Sequence, residues 1–197
     1  MLVLFAIATI RLMPSHGAQP LRHGHTREWD YVKAPHRDAT ALERRLGDIS
    51  SFVAGRSVQV RCEDFSIGTP VEPGGVVQFN GAISAEYARI RPDVCSSIVH
   101  FIRAPDAVSL EFAQTLTVLA HESYHLHGIR NEAVTQCYAM QAVPRVAHAL
   151  GAPAAQARLL AALEYGFAYP KMPPAYRSAH CRPNGPLDQH PGGGWPD

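Results

Sequence analysis

Residues 106–128 carry the most restrictive pattern in the chain. Asp106 has N-cap chemistry and Gly128 is a helix-ending residue, so the spacing predicts one helix between them. With Phe112 at zero on a wheel of about 100° per residue, Val108, Leu116 and Leu119 fall within about 40° of it. His121 and His125 fall at about 180° and about 220°, on the far side. Such a helix packs one face into a core and presents two imidazoles on the other. Any fold for this chain must supply apolar partners for the first face and leave space beside the second.

The flanking segments supply those partners. Asp38 reads as an N-cap for a helix marked by Leu42, Leu46, Ile49 and Val53 and ended by Gly55. Ser57 to Arg61 alternates as a strand. Val76 to Phe79, Asn80-Gly81 and Ala82 to Ile90 read as a β-hairpin, because both central residues of an Asn-Gly turn tolerate positive φ. Pro92-Asp93 opens a short helix bearing Val94, Ile98 and Phe101. Asn131 caps a helix to Val143, which Pro144 interrupts and which resumes to Leu150. Ala154 to Phe167 is a further amphipathic stretch. Residues 169–197 are rich in Pro and Gly, and Cys181, Leu187 and Trp195 predict a tail lying over the domain. The fold expected is α+β: a small antiparallel sheet packed on the central helix, with additional helices and a long ordered C-terminal tail.

Composition narrows what such a domain does. Hydrophobic residues make up 46% and charged residues 18%, enough apolar material for a core. A net charge of +1 gives no field for nucleic acid, so none is expected as a partner. The apolar run Leu2 to Ile10 is too short to span a bilayer, which takes about 20 residues. It suits a secretory signal, with Ser15, Gly17 and Ala18 near the cleavage point, although nothing basic precedes Leu2. The division expected is 1–18 as signal peptide or weak membrane anchor and 19–36 as flexible leader, containing His23, His25 and His36. Residues 37–182 then form the domain and 183–197 a Pro/Gly-rich tail. No stable membrane span is expected after processing.

Four cysteines, Cys62, Cys95, Cys137 and Cys181, agree with a secreted or extracytoplasmic location. None forms a C-x-x-C pair, which argues against zinc ribbons and thioredoxin-type motifs. Three connectivities are open. Cys62–Cys95 with Cys137–Cys181 is preferred because each pair staples neighbouring segments. All but two of the 18 basic residues are Arg, a coding bias read here as bacterial.

The chemistry lies in His121-Glu122-Ser123-Tyr124-His125, an H-E-x-x-H pattern. Four residues along a helix separate the imidazoles by about 6 Å, so both can bind one ion at about 2.0–2.1 Å. The intervening Glu122 is placed to take a proton from a water that the metal acidifies. A third ligand is needed, and Glu132 is the best candidate. On one continuous helix it would sit about 10.5 Å beyond His125, too far to share an ion. A break at Gly128 lets the chain turn back and offer Glu132 from the first turn of the next helix. An acid there also suits a helix N-terminus without any metal. His127 and Asn131 are the rivals: His127 faces away from His125 on the helix, and Asn is a poor zinc ligand. Tyr124, Tyr138, His148, Tyr165 and Tyr169 are possible oxyanion donors, none favoured over a packing role. Cys137 is assigned to a disulfide, since no cysteine-protease signature accompanies it.

The stretch from Ala107 to Gln136 resembles the zincin metallopeptidases, the H-E-x-x-H superfamily. The resemblance implies zinc held by His121 and His125, with Glu122 as general base and acid. The run from His121 to Glu132, followed by Ala133 and Cys137, looks like a compact gluzincin in which Glu is the third ligand. It is also similar to small secreted bacterial proteins of undefined activity. Familiar gluzincins place that Glu much further downstream, and the metzincin third ligand would fall on Asn131. The function expected is a secreted zinc-dependent hydrolase of peptide or protein substrates. The alternative is a non-catalytic, zinc-bearing, disulfide-stapled binding or structural protein, and a third is a stapled protein whose H-E-x-x-H arose by chance. Access to the metal position separates the first two.

Overall fold

A computed structural model describes residues 33–34, 37–65 and 74–196. The expected signal segment and, apart from residues 33–34, the expected leader with His23, His25 and His36 lie outside the described residues.

The first helix, α1 (Ala41–Ala54), is capped by Thr40, not by Asp38. The Thr40 hydroxyl accepts from Glu43 N at 3.2 Å while Glu43 Oε2 accepts from Thr40 N at 2.8 Å, a reciprocal capping box. Glu43 is buried and also accepts from Cys62 N at 2.8 Å, which ties the helix start to the sheet. Gly55 ends α1 at φ 68°, a conformation that costs a residue with a Cβ.

The strands are β1 (Gln59–Cys62), β2 (Gly75–Val76), β3 (Phe79–Asn80), β4 (Ile83–Ser84) and β5 (Tyr87–Ile90). The principal sheet has the order β1-β5-β2 and is mixed, not antiparallel: β1 pairs β5 in parallel and β2 pairs β5 antiparallel. A parallel pair needs a long crossover, and residues 63–86 are long enough to provide it. Alternation in Val58, Val60 and residues 87–90 reports a covered face and carries no strand direction. The expected hairpin is shorter and displaced. Asn80 pairs with Ile83, so Gly81-Ala82 is the two-residue turn, with Gly81 at φ 59° in the first position. The downstream arm then leaves this pair and joins the principal sheet as β5.

Four further helices follow, of which α3 makes the main contacts with the strands: α2 (Pro92–Arg103), α3 (Leu110–His127), α4 (Glu132–Ala149) and α5 (Ala154–Leu163). The cap of α3 is Ser109, whose hydroxyl accepts from Phe112 N at 3.1 Å. Asp106 lies in the preceding turn, and Val108 is outside the helix and exposed. Leu116 and Leu119 are fully buried, but so is the opposite side of α3: α1, α2, α4, α5 and strands β2, β4 and β5 all touch it. The expected two-faced helix is therefore a central one. Pro144 does not interrupt α4, which runs unbroken between α3 and α5. Packing on both sides outweighs the missing N–H.

Cys62–Cys95 joins β1 to α2, and Cys137–Cys181 joins α4 to the tail. These two bridges are a mark of an oxidising, extracytoplasmic environment. The tail is ordered: Gln141 Nε2 donates to Leu187 O at 2.8 Å and Gln189 N donates to Gln141 Oε1 at 2.8 Å. Leu187 and Trp195 pack on the cluster of Cys137, Met140, Tyr169 and Cys181. Among the described residues no helix is long and apolar enough to cross a membrane.

Candidate metal centre

Gly128 ends α3 at φ 108°, and its N–H and that of Ile129 return to the carbonyls of His125 and Tyr124. The chain turns within three residues and restarts at Asn131, whose side chain accepts from Val134 N at 3.0 Å. Glu132 is therefore the first residue of α4, facing back toward α3. Its Oε2 lies 3.0 Å from His121 Nε2 and 3.3 Å from His125 Nε2. One ligand atom from each of these three residues lies within 4.8 Å of the other two. The reversal at Gly128 removes the axial separation that a continuous helix would impose.

The other ring nitrogens are held from behind. His125 Nδ1 donates to Ile129 O at 2.6 Å, and His121 Nδ1 faces Gln136 Oε1 at 2.9 Å. With a cation at the common point, a proton on each Nδ1 leaves each Nε2 lone pair directed at it, as metal-ligating imidazoles require. The His side chains are 9% and 7% exposed and that of Glu132 is 39% exposed, so the cluster is reached from the Glu132 side.

Electrostatics follow from burial against pairing. Burial pushes Glu132 upward, but its bonds to His121 and His125 outweigh this and hold it at about 2. Burial pulls His125 downward, and the bond to Glu132, the charge of Glu122 and the Ile129 carbonyl together raise it. Glu122 is raised, chiefly by burial. Its Oε2 is buried and has no hydrogen-bond partner among the described residues, a costly arrangement for a carboxyl that serves only packing. The chemistry of the set fits a zinc ion: two imidazoles, one carboxylate and an adjoining carboxyl outside the ligand group.

Several neighbours carry no local signal in the sequence. Gly75 of β2 packs directly on Glu122, and a Cβ there would lie 2.5 Å from Glu122 Cγ. The Tyr176 ring stands 5.8 Å from that of His121. Burial raises its phenol, and the charges of Glu132 and Glu122 raise it further. The Cys137–Cys181 bridge returns this segment to α4. On the other side, Phe79 meets the His125 ring edge-on at 5.9 Å. Gln136 was legible in principle, since it follows Glu132 by one helical turn.

Other candidates are engaged elsewhere. His127 Nδ1 donates to Ala54 O at 2.8 Å and His148 Nδ1 to Ala152 O at 3.0 Å. Tyr124 donates to Gln189 Oε1 at 3.1 Å, and its ring packs on Tyr138. Tyr169 accepts from Ser178 N at 2.8 Å, and its ring stacks on Tyr165. Comparison with family models, curated proteins and solved structures gave no match.

Proposed function

We propose that this protein is a zincin-like, zinc-dependent hydrolase that cleaves peptide bonds outside the cytoplasm. The observation that carries the reading is the convergence of His121 Nε2, His125 Nε2 and Glu132 Oε2 beside the buried, unpaired Oε2 of Glu122. A structural zinc site is closed by a fourth protein ligand, whereas here three ligands converge and Glu122 lies outside the group, the pattern of a catalytic site. The two disulfides suit an exported enzyme.

His121, His125 and Glu132 would hold the ion. Zinc, when bound, supplies Lewis acidity that brings water near pKa 7 and polarises a carbonyl. Glu122 is the general base: it takes a proton from the attacking water and returns it to the departing amine. The Tyr176 ring stands beside that of His121, and its phenol is assigned to the developing oxyanion. Among the described residues no strand pairs with the outer edge of β2. An extended peptide laid there would place its backbone beside Gly75, against which Glu122 packs.

The test is metal content of the oxidised protein by mass spectrometry, followed by a peptide-library screen. The wild type should carry near-stoichiometric zinc and Glu132→Ala should lose it. Glu122→Gln should keep zinc and lose turnover by roughly 10²–10⁴-fold. Folded wild type that takes up no zinc would end this reading. Zinc in both proteins without cleavage in either would leave a non-catalytic zinc-bearing protein.

A further inference from the structure

We propose that Glu164 is a positioning residue for His121, acting through the Gln136 amide to keep the imidazole in the tautomer that leaves Nε2 free for a metal ion. The purpose assigned to this relay rests on the metal-site reading above; the relay itself is testable without metal.

The two histidines are held in different ways. His125 Nδ1 faces a backbone carbonyl, which can only accept, so the Nδ1 proton is fixed by the main chain. His121 Nδ1 faces the side-chain amide of Gln136, which has an accepting and a donating end of the same shape. Either end fits the space. With oxygen toward the ring, the proton sits on Nδ1 and the Nε2 lone pair is available. With NH₂ toward the ring, the proton moves to Nε2 and blocks it. The Oε2 of Glu132, 3.0 Å from His121 Nε2, favours the blocked form whenever no cation intervenes.

What selects the amide orientation lies at its other end. Gln136 Nε2 donates to Glu164 Oε1 at 3.4 Å, and the second carboxyl oxygen of Glu164 has no partner among the described residues. Glu164 is wholly buried at the start of a π-helical turn, Glu164–Ala168, that follows α5. Gln136 is buried too, so water does not substitute for either group. An ionised carboxylate has only lone pairs to offer. It therefore demands the NH₂ end of Gln136 and forces the oxygen end onto His121. A neutral group at 164 can donate, which admits the reversed amide. Burial pushes the Glu164 carboxyl up to about 7 with no neighbouring charge contributing, so it is ionised under mildly alkaline conditions. The relay thus opposes Glu132 for possession of one proton on His121.

The experiment is long-range proton–nitrogen NMR of the metal-free, oxidised full chain at pH 8.5, labelled at histidine, for wild type and Glu164→Gln. The wild type should show His121 protonated on Nδ1. The variant should shift the proton to Nε2, while His125 keeps its Nδ1 proton as an internal control. Zinc affinity should fall about tenfold in the variant, as for removal of a group that orients a ligand. If Glu164→Gln does not fold, Glu164→Met removes the carboxylate while leaving Gln136 in place and is read the same way. An unchanged His121 pattern overturns the proposal, even if zinc binds. A shifted pattern in a protein that binds no zinc upholds the relay and removes the metal-site reading instead.

Discussion

The contact between Gly75 and Glu122 makes a sharp prediction for Gly75→Ala. The added methyl would lie 2.5 Å from Glu122 Cγ and 2.9 Å from both Cδ and Oε1. Carbon atoms in contact sit about 3.5–4.0 Å apart, so something must move by about 1 Å. Gly75 is paired to Ile90 in β5, and Glu122 is 5% exposed on a helix enclosed on all sides. Overpacking of this kind costs about 1–3 kcal/mol. Displacing a catalytic carboxyl by about 1 Å costs on the order of 10²-fold in rate. The expected variant has a lower denaturant midpoint, bound zinc near the wild-type level because Glu122 is not a ligand, and turnover reduced about 10²-fold. Denaturation, metal analysis and kinetics on one preparation read all three. A variant with wild-type midpoint and wild-type turnover would refute the argument that β2 places Glu122.

Glu43 should govern acid stability. Its bonds to Arg37, against the opposing effect of burial and with help from Thr40 N and Cys62 N, lower it from 4.5 to about 2. That amounts to about 3 kcal/mol, or about 2 after allowing for the half-exposed Arg37. The carboxyl is depressed in the folded state, so this stability is complete above about pH 5 and is lost as pH falls toward 2. Glu43→Gln should flatten the melting temperature across that window, and an unchanged acid profile would remove Glu43 as its cause. Asn131→Ala should cost about 1 kcal/mol by freeing Val134 N, and should weaken zinc binding several-fold because Glu132 begins the same turn. Titration calorimetry with zinc reads the second effect, and undiminished affinity would mean that Glu132 is placed without the cap. Cys137→Ser with Cys181→Ser should cost about 4 kcal/mol for a bridge spanning 44 residues, measured by denaturation against the oxidised wild type. A loss under 1 kcal/mol would show that packing of Leu187 and Trp195 holds the tail without it.

The helices and the ligand set were legible because both are local. Gly128 announces the end of α3, Asn131 announces α4, and the distance between them fixes where Glu132 can point. Sheet direction was not legible: pairing of β1 with β5 depends on a crossover that leaves no mark on either strand. Two caps were misplaced, at Asp38 and Asp106, because several acceptors precede each helix and only the one with a free N–H in reach serves. Pro144 misled for the opposite reason, since tertiary packing overrode a strong local preference. Glu164 did not stand out within the amphipathic stretch Ala154 to Phe167, because its partner Gln136 lies on another helix. Tyr176 and Gly75 had no signal at all, since each reaches the site through long-range chain return.

Taken as a covalent graph, the described molecule is two closed loops joined by a bridge. One loop, closed by Cys62 and Cys95, contains Gly75; the other, closed by Cys137 and Cys181, contains Glu164 and Tyr176. His121, Glu122, His125, Glu132 and Gln136 all lie on the bridge between them. A single backbone cut inside either loop leaves one connected molecule that separates only on reduction. A cut in the bridge severs it at once, and the non-helical stretches of the bridge are 104–109 and 128–131. Gels run with and without reductant would thus distinguish damage around the cluster from damage to the segment that carries it.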